Sequence, residues 1–388
     1  MRVLYATESV PNRDPVLGDG SSMIPYELIR HLPEDVAVTL LTYGGPVPVP
    51  DDVRRRCDAV IILPTRPRRS ALLRSAFGLN GLGKHERSTP QATEAVSELS
   101  AGHDATLIHG PHALFLSHYV RGPVVLQTVD PWSIRAGMDT AIAGGLRRLA
   151  YRARELQSLK AERHLPLRAR LLTVGAQDAV AWSARLGRPV RSIPNGAEPA
   201  VRTDSTPTTP VACFVGSLNY GPNIDSALVL VNRVAPRVWQ RVPEARFVLA
   251  GRRPTPAVLA LAGPRVDVLA NVPSVVEVFD GADVAVFPDE HGVGIRNSVR
   301  EALAAGVPVV ATPVAAREQD AHPLLSIEAD TELFVDRVVE ILSRPPRAVT
   351  VSEAPVRTWQ TVANEYLAEL RAAISSASAG QPLGNRKA

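Results

Sequence analysis

The chain is short of cysteine, lysine and aromatic residues, and each shortage removes a class of protein. Its 388 residues include two cysteines, Cys57 and Cys213, so neither a disulfide framework nor a zinc ribbon can be assembled. Aromatics make up 5% of the sequence and are not interleaved with basic residues in the way a nucleic-acid groove requires; nucleic acid is not an expected partner. No run reaches the ~18 consecutive apolar residues of a membrane span. The N-terminus lacks the charged-then-apolar order of a secretory leader, so a cytoplasmic location is expected. Two nucleotide fingerprints are missing as well. No Gly-x-Gly-x-x-Gly turn follows a first strand directly, which removes the dinucleotide signature. No Gly-Lys-Ser/Thr occurs, since Gly83-Lys84 is followed by His85, which removes the P-loop. Of 43 basic residues only Lys84, Lys160 and Lys387 are lysines, and the net charge is +4. An arginine-biased surface suits phosphate or acidic lipid by charge alone, and genomic codon bias accounts for it equally well.

What is present is apolar sequence in short, repeated pieces. The chain is 45% hydrophobic and long enough for two domains with separate cores. Runs of four to eight residues rich in Val, Leu and Ala recur between helical stretches, among them Val36–Thr42, Ala59–Leu63, Ala105–Ile108, Val124–Thr128, Leu171–Val174, Arg246–Ala250, Val284–Phe287 and Val309–Thr312. Both halves open alike. Arg2–Thr7 leads through a loop into an amphipathic run ending at Leu32, and Pro210–Ser217 leads into a helix expected from Asp225 to about Arg241. This alternation predicts an α/β protein of two doubly wound, Rossmann-like domains with parallel sheets covered on both faces. Turn chemistry at Pro194-Asn195-Gly196 and the polar stretch from Glu198 to Pro210 separate a domain over 1–195 from one over 196–345. A segment over 346–374 carries a helix with Trp359, Val362, Tyr366 and Leu370 on one face, expected to cross back to the first domain. Residues 375–388 are expected to be disordered.

The chemistry concentrates between Phe287 and Thr312. A buried strand ends at Phe287, and a loop with Gly292 and Gly294 then turns through Ile295 and Arg296 into a helix beginning near Asn297. Glycines there let the backbone approach a ligand and aim free amides at a diphosphate, which the helix dipole also favours. Glu301, one turn inside the helix, suits two vicinal hydroxyls such as those of a ribose. The alternative from these features alone is an ordinary loop-helix connection with a solvated carboxylate.

The same segment resembles the donor-site signature of the group 1 (family 4) retaining, nucleotide-sugar-dependent glycosyltransferases. It is most similar to the branch of exopolysaccharide sugar transferases with a Gly-Ile-x-Asn-x-Val-x-Glu-Ala pattern. Further matches run in order: Phe214 to Tyr220 with Pro222 to Asp225, Val248 to Arg252, Val272 to Val275, Gly281 to Val284, and Ile193 to Gly196 at the junction. The resemblance is specific over 194–312 and covers 1–193 in outline. It implies a GT-B fold of two domains facing a cleft, the second holding a nucleoside-diphosphate sugar as co-substrate, with no separate cofactor and no metal. Gly216, Ser217, Gly292, Gly294, Ile295 and Asn297 then line the donor site, Arg252 or Arg296 neutralises the diphosphate, and Glu301 holds the ribose. Three positions depart from the pattern. Val293 stands where the wider family has a Glu, Ser298 where the closer branch has Lys, and Val129 where a His often precedes Asp130.

On the first domain the loop Gly18, Asp19, Gly20 and Ser21 resembles the family's glycine-rich acceptor-side loop, or is a plain surface loop. His112 and Asp130 each follow a strand at the carboxyl edge, where open α/β sheets bind ligands, and are the catalytic candidates; a structural role is open for both. A metal site built from His103, His109, His112 and His118 lacks ligand spacing. Between Arg147 and Arg170, eight basic residues face Glu155 and Glu162 alone, and Arg66, Arg68, Arg69 and Arg74 form a second basic stretch with Leu72, Leu73 and Phe77. These read either as solvated helix faces or as peripheral contacts for an anionic membrane, which would suit a lipid-linked acceptor beside a sugar or small-molecule one. The expected activity is retaining transfer of a sugar to an acceptor hydroxyl. The rivals are a non-catalytic nucleotide-sugar-binding partner on the same scaffold, and an epimerase or inverting transferase.

Overall fold

A computed structural model describes residues 1–14, 16, 18, 20–66, 86–199, 209–292, 295–344 and 356–379. The segment holding Arg68, Arg69, Leu72, Leu73, Arg74 and Phe77 lies outside the described residues. The chain divides into two compact units, Met1–Pro194 with Trp359–Ala388, and Asn195–Thr358.

The first unit runs β1 (Arg2–Thr7), α1 (Gly20–His31), β2 (Ala37–Tyr43), α2 (Asp51–Arg56), β3 (Ala59–Leu63), α3 (Pro90–Ala101), β4 (Ala105–His109), β5 (Val124–Thr128), α4 (Trp132–Ile142), α5 (Gly145–Arg163), β6 (Arg170–Thr173), α6 (Ala176–Leu186) and β7 (Val190–Ser192). All pairings are parallel, in the order β3-β2-β1-β4-β5-β6-β7. Strands β4 and β5 are buried along their whole length, which is why their sequences read as continuous runs and not as alternations. The order reverses between β1 and β4, where Thr7 lies opposite His109. Carboxyl ends at such a reversal are where open α/β sheets take their ligands.

The second unit runs β8 (Val211–Val215), α7 (Gly221–Val229), α8 (Ala235–Trp239), β9 (Arg246–Gly251), α9 (Pro256–Leu259), β10 (Val266–Ala270), α10 (Val275–Asp280), β11 (Val284–Phe287), α11 (Asn297–Ala304), β12 (Val309–Ala311), β13 (Leu325–Ile327) and α12 (Thr331–Leu342). Its sheet is parallel in the order β10-β9-β8-β11-β12-β13, reversing between β8 and β11. Phe214, Phe247, Phe279 and Phe287 fill its core, and α12 seats Phe334, Val335, Val338 and Ile341 against it. Asp330 caps α12 by accepting from the amides of Glu332 and Leu333 at 2.8 and 3.0 Å.

Two helices differ from the sequence expectation. The helix expected from Asp225 begins at Gly221, because Pro222 in a first turn forfeits no hydrogen bond. It is then split by a π-helical turn, Leu230–Val234, just before Pro236 enters the first turn of α8. A wider turn absorbs the missing N–H and the ring. The final helix, α13 (Trp359–Ser378), buries Trp359, Val362, Tyr366 and Leu370, and its Glu369 accepts from Arg170 Nε at 2.6 Å and pairs with Arg191. Residues 375–378, expected to be disordered, are therefore helical. Ser376 and Ser378 turn their hydroxyls back to the carbonyls of Ala372 and Ile374, which lets small polar residues continue a helix. Residues 380–388 lie outside the described residues. No helix among the described residues is long and apolar enough to cross a membrane.

Candidate functional site

The reversal between β8 and β11 sets two loops side by side in the second unit. The first follows β8 and the second follows β11. Gly216 and Gly251 make their close approach possible. A Cβ on Gly251 would stand 1.7 Å from the carbonyl oxygen of Gly216, and one on Gly216 would stand 2.9 Å from Asn223 Nδ2. Only glycine fits at 251, where the obstacle is backbone, whereas at 216 the Asn223 side chain would have to shift. The turn after β8 is tied down by Asn223 Nδ2, which donates to the Ser217 carbonyl at 3.0 Å. Arg252, at the end of β9, donates to Ser217 Oγ at 3.1 Å. Its neighbour Arg253 sits at φ 46°, held by its backbone N–H, which donates to Asn271 Oδ1 at 2.9 Å.

The loop after β11 is organised by Asp289 and Arg296. Arg296 Nη1 donates to Asp289 Oδ2 at 2.6 Å and to Asn223 Oδ1 at 2.9 Å. Its guanidinium also lies 4.9 and 4.8 Å from the ring centres of Phe214 and Phe287, a cation–π contact on each strand of the reversal. Asp289 in turn accepts from Ser226 Oγ at 2.7 Å, and its carbonyl accepts from Thr312 Oγ1 at 2.7 Å. Burial pushes the Asp289 carboxyl up from its ordinary range and Arg296 opposes the shift. Arg296 therefore serves to hold the loop between β11 and α11. Its Nε and Nη2 find no hydrogen-bond partner among the described residues, and Arg252, the other arginine of the predicted pair, is set at the turn after β8.

Beyond the loop, Arg317 Nη1 donates to the Gly292 carbonyl at 3.2 Å and Gln319 Nε2 to the Arg296 carbonyl at 3.1 Å. Asn297 opens α11 and accepts from Asn195 Nδ2 at 3.1 Å. Arg300 is buried, donating to the carbonyls of Asn195 and Glu318. The N-cap residue Arg296 makes no side-chain cap at the start of α11, and the positive end of that helix dipole favours an anion. Ile295 and Glu301 are half-buried, Glu301 in the second turn of α11. Gly294 and Val293 lie outside the described residues.

In the first unit the reversal between β1 and β4 carries different groups. Glu8, buried directly after β1, accepts from the His112 amide at 2.7 Å, and its carbonyl accepts from Arg87 Nε at 2.6 Å. Gly110 has φ +93°, and a Cβ there would meet the Glu8 carboxyl carbon at 2.3 Å. A side chain there is disfavoured by conformation and would have to displace the Glu8 side chain. The His112 ring meets Trp132 edge-on at 4.3 Å. Burial, with Arg87 and Arg154 nearby, lowers the His112 imidazole to about 3, so the ring is neutral at neutral pH. Burial raises the Asp130 carboxyl, opposed by Arg135 at 3.9 Å. Gly18 packs under the Asp14 carbonyl, Gly20 and Ser21 begin α1, and Asp19 lies outside the described residues. Sequence reasoning assigned no role to Glu8, Asn223, Ser226 or Asp289. The available signal was position, since Glu8 and Asp289 each follow a strand that flanks a reversal.

Residues 209–344 match the family model for glycosyl transferases group 1. No curated protein sequence matches the chain. Solved structures of the same two-domain GT-B fold include Anabaena Alr3699/HepE in complex with UDP-glucose. That likeness has a TM-score of 0.61 at 13% identity and covers 98% of this chain and 100% of that one. A point mutant of S. aureus TarM in complex with fondaparinux, alpha-GlcNAc-glycerol and UDP is similar with a TM-score of 0.60 at 8% identity, over 97% and 96%. An alpha,alpha-trehalose 6-phosphate synthase from Burkholderia multivorans is similar with a TM-score of 0.60 at 13% identity, over 100% and 99%.

Proposed function

We propose that the chain is a glycosyltransferase that moves a sugar from a nucleoside-diphosphate sugar to an acceptor hydroxyl, with retention of configuration. The observation that carries this reading is the reversal between β8 and β11. Two glycine-dependent turns and a helix N-terminus whose N-cap residue makes no side-chain cap meet there, inside the segment that matches glycosyl transferases group 1. In this reading Gly292 to Asn297 cradle the diphosphate, Arg252 or Arg296 balances its charge, and Glu301 accepts from the ribose hydroxyls. Guanidinium and amide dipoles then stabilise the departing diphosphate in place of a metal. His112 and Asp130, with the loop Gly18 to Ser21, belong to the acceptor side. Retention and the exopolysaccharide-transferase branch of family 4 rest on the resemblance of the Phe287 to Thr312 segment. The UDP-glucose bound to HepE makes uridine nucleotides the first donors to test.

Incubation with a panel of nucleotide sugars and candidate acceptors, with nucleoside diphosphate release as readout, tests the activity. Release is expected to persist in the presence of a chelator. Glu301→Ala is expected to weaken nucleotide-sugar binding by about 10- to 100-fold, the worth of a charge-assisted hydrogen-bond pair. Unchanged affinity by calorimetry removes Glu301 from the donor site. A second reading, a nucleotide-sugar-binding partner without turnover, is favoured by Ser298, which is buried in the first turn of α11 where the similar branch carries lysine. Binding without release, across acceptors, selects it.

A further inference from the structure

Helix α5 is built inside out. Among its described residues, those it buries are Glu155, Ser158 and Glu162, spaced three and four apart on one face. Each carboxylate has internal partners. Glu155 accepts from Arg152 at 2.7 Å and from Arg185 at 3.2 Å. Glu162 accepts from the Ser133 amide at 3.0 Å and from Trp182 Nε1 at 2.9 Å. A second stripe, Leu149, Leu156, Lys160 and Arg163, runs more than a third of a turn round the helix from the buried one and is exposed. Leu149 is 67% exposed and Leu156 53%, about 10 Å apart along the axis. Arg147, Arg148 and Arg154 are exposed too. Both acids of the helix are consumed inside, Glu155 by pairing with Arg152 and Arg185, so the outer face combines leucine with positive charge at Lys160 and Arg163.

A soluble helix ordinarily turns leucine inward and carboxylate outward. Exposing two leucines while burying two acids forgoes apolar burial unless the outer face meets an apolar surface. Charge selects which surface. A second copy of this face would bring the positive charges of Lys160 and Arg163 together, since a two-fold interface sets the same patch against itself. A bilayer with anionic head groups offers hydrocarbon to the leucines and phosphate to the arginines. We propose that the outer face of α5 docks the first unit on an anionic membrane surface, with Leu149 and Leu156 entering the head-group boundary. Docking is independent of which sugar the second unit holds.

Flotation of the full chain with vesicles tests this. Binding to vesicles of phosphatidylglycerol and phosphatidylcholine in equal parts is expected to exceed binding to phosphatidylcholine alone by about tenfold or more, and to weaken as salt rises. Leu149→Gln with Leu156→Gln is expected to lower binding about tenfold while thermal melting stays unchanged, as both side chains are exposed. Should that pair melt lower, Lys160→Gln removes charge from the same face without touching any internal partner and is expected to lower binding in low salt. Binding indifferent to phosphatidylglycerol, or unaltered by both variants, overturns the proposal. Self-association of the full chain that the leucine pair abolishes overturns it as well.

Discussion

At the carboxyl ends of β1 and β4 the buried carboxylate, Glu8, holds the backbone amide of His112, whereas at the ends of β8 and β11 the buried carboxylate, Asp289, holds a guanidinium. Both sheets reverse direction at these points, and both crowd a glycine against the neighbouring loop. In the first unit the groups gathered are a carboxylate, a neutral imidazole and Asp130, which suit hydroxyl recognition. In the second, Asp289 is matched by Arg296, and the remaining field comes from Arg252 and the end of α11, which suits an anion. A shared topology thus fixes where ligands meet the protein, and the residue placed after each strand decides their charge.

The largest effect is expected from breaking the second unit's buried pair. Arg296→Met leaves Asp289 unpaired and should cost about 3–5 kcal/mol, while Arg296→Met with Asp289→Leu should cost much less, because no lone charge is left inside. Urea unfolding of the two variants measures the difference, and equal losses would show that the pair is not the organising contact. A smaller effect, about 1–3 kcal/mol, is expected for a methyl group at either crowded glycine. Gly251→Ala should exceed Gly110→Ala. The first meets backbone oxygen; the second meets the Glu8 side chain, which can shift at the cost of strain at φ +93°. Melting temperatures of both variants check the order.

The smallest effect, taken over one pH unit, is the pH dependence that His112 gives the first unit. The His112 pKa is depressed when folded, to about 3 from an ordinary value near 6.5. The unfolded chain therefore binds a proton that the folded chain refuses. Its contribution is complete above about pH 6.5 and is lost as pH falls from there toward 3, up to about tenfold in the unfolding constant per pH unit. His112→Phe should flatten this part of the acid limb in urea melts between pH 4.5 and 7. An unaltered slope would place the acid sensitivity elsewhere. The raised carboxyls of Asp130 and Asp289 work in the opposite direction, since groups that keep their protons when folded favour the folded chain at low pH.

Strands were the most readable part of the sequence, because a strand covered on both faces must be apolar throughout, and runs such as Val284 to Phe287 have no other soluble use. β13 escaped notice. Leu325–Ile327 is three residues at a sheet edge, partly exposed, and its pattern matches any loop. The glycines and Glu301 suggested a phosphate loop because they stand close together in sequence. The Asp289 network was not legible, since Ser226 and Asn223 lie 63 and 73 residues from the groups they bond. Nothing local marks them. Arg296 was read as a phosphate ligand by its place beside the loop, and only the positions of Phe214 and Phe287 reveal what surrounds it. The inverted face of α5 was visible as charge but not as orientation. A helical wheel alone cannot tell that the two glutamates, and not the leucines, turn inward.

The chain leaves the first unit at Pro194 and returns to it at Trp359, which makes the second unit an insertion and gives synthesis an order of its own. Glu369 is made 199 residues after Arg170 and 178 after Arg191, the two arginines it joins. At ordinary translation rates that is a wait of about 10 to 40 seconds. All of the second unit's residues have been made by then, while the first still lacks the helix that carries Trp359 and Tyr366. The half of the protein that begins first is the half that closes last.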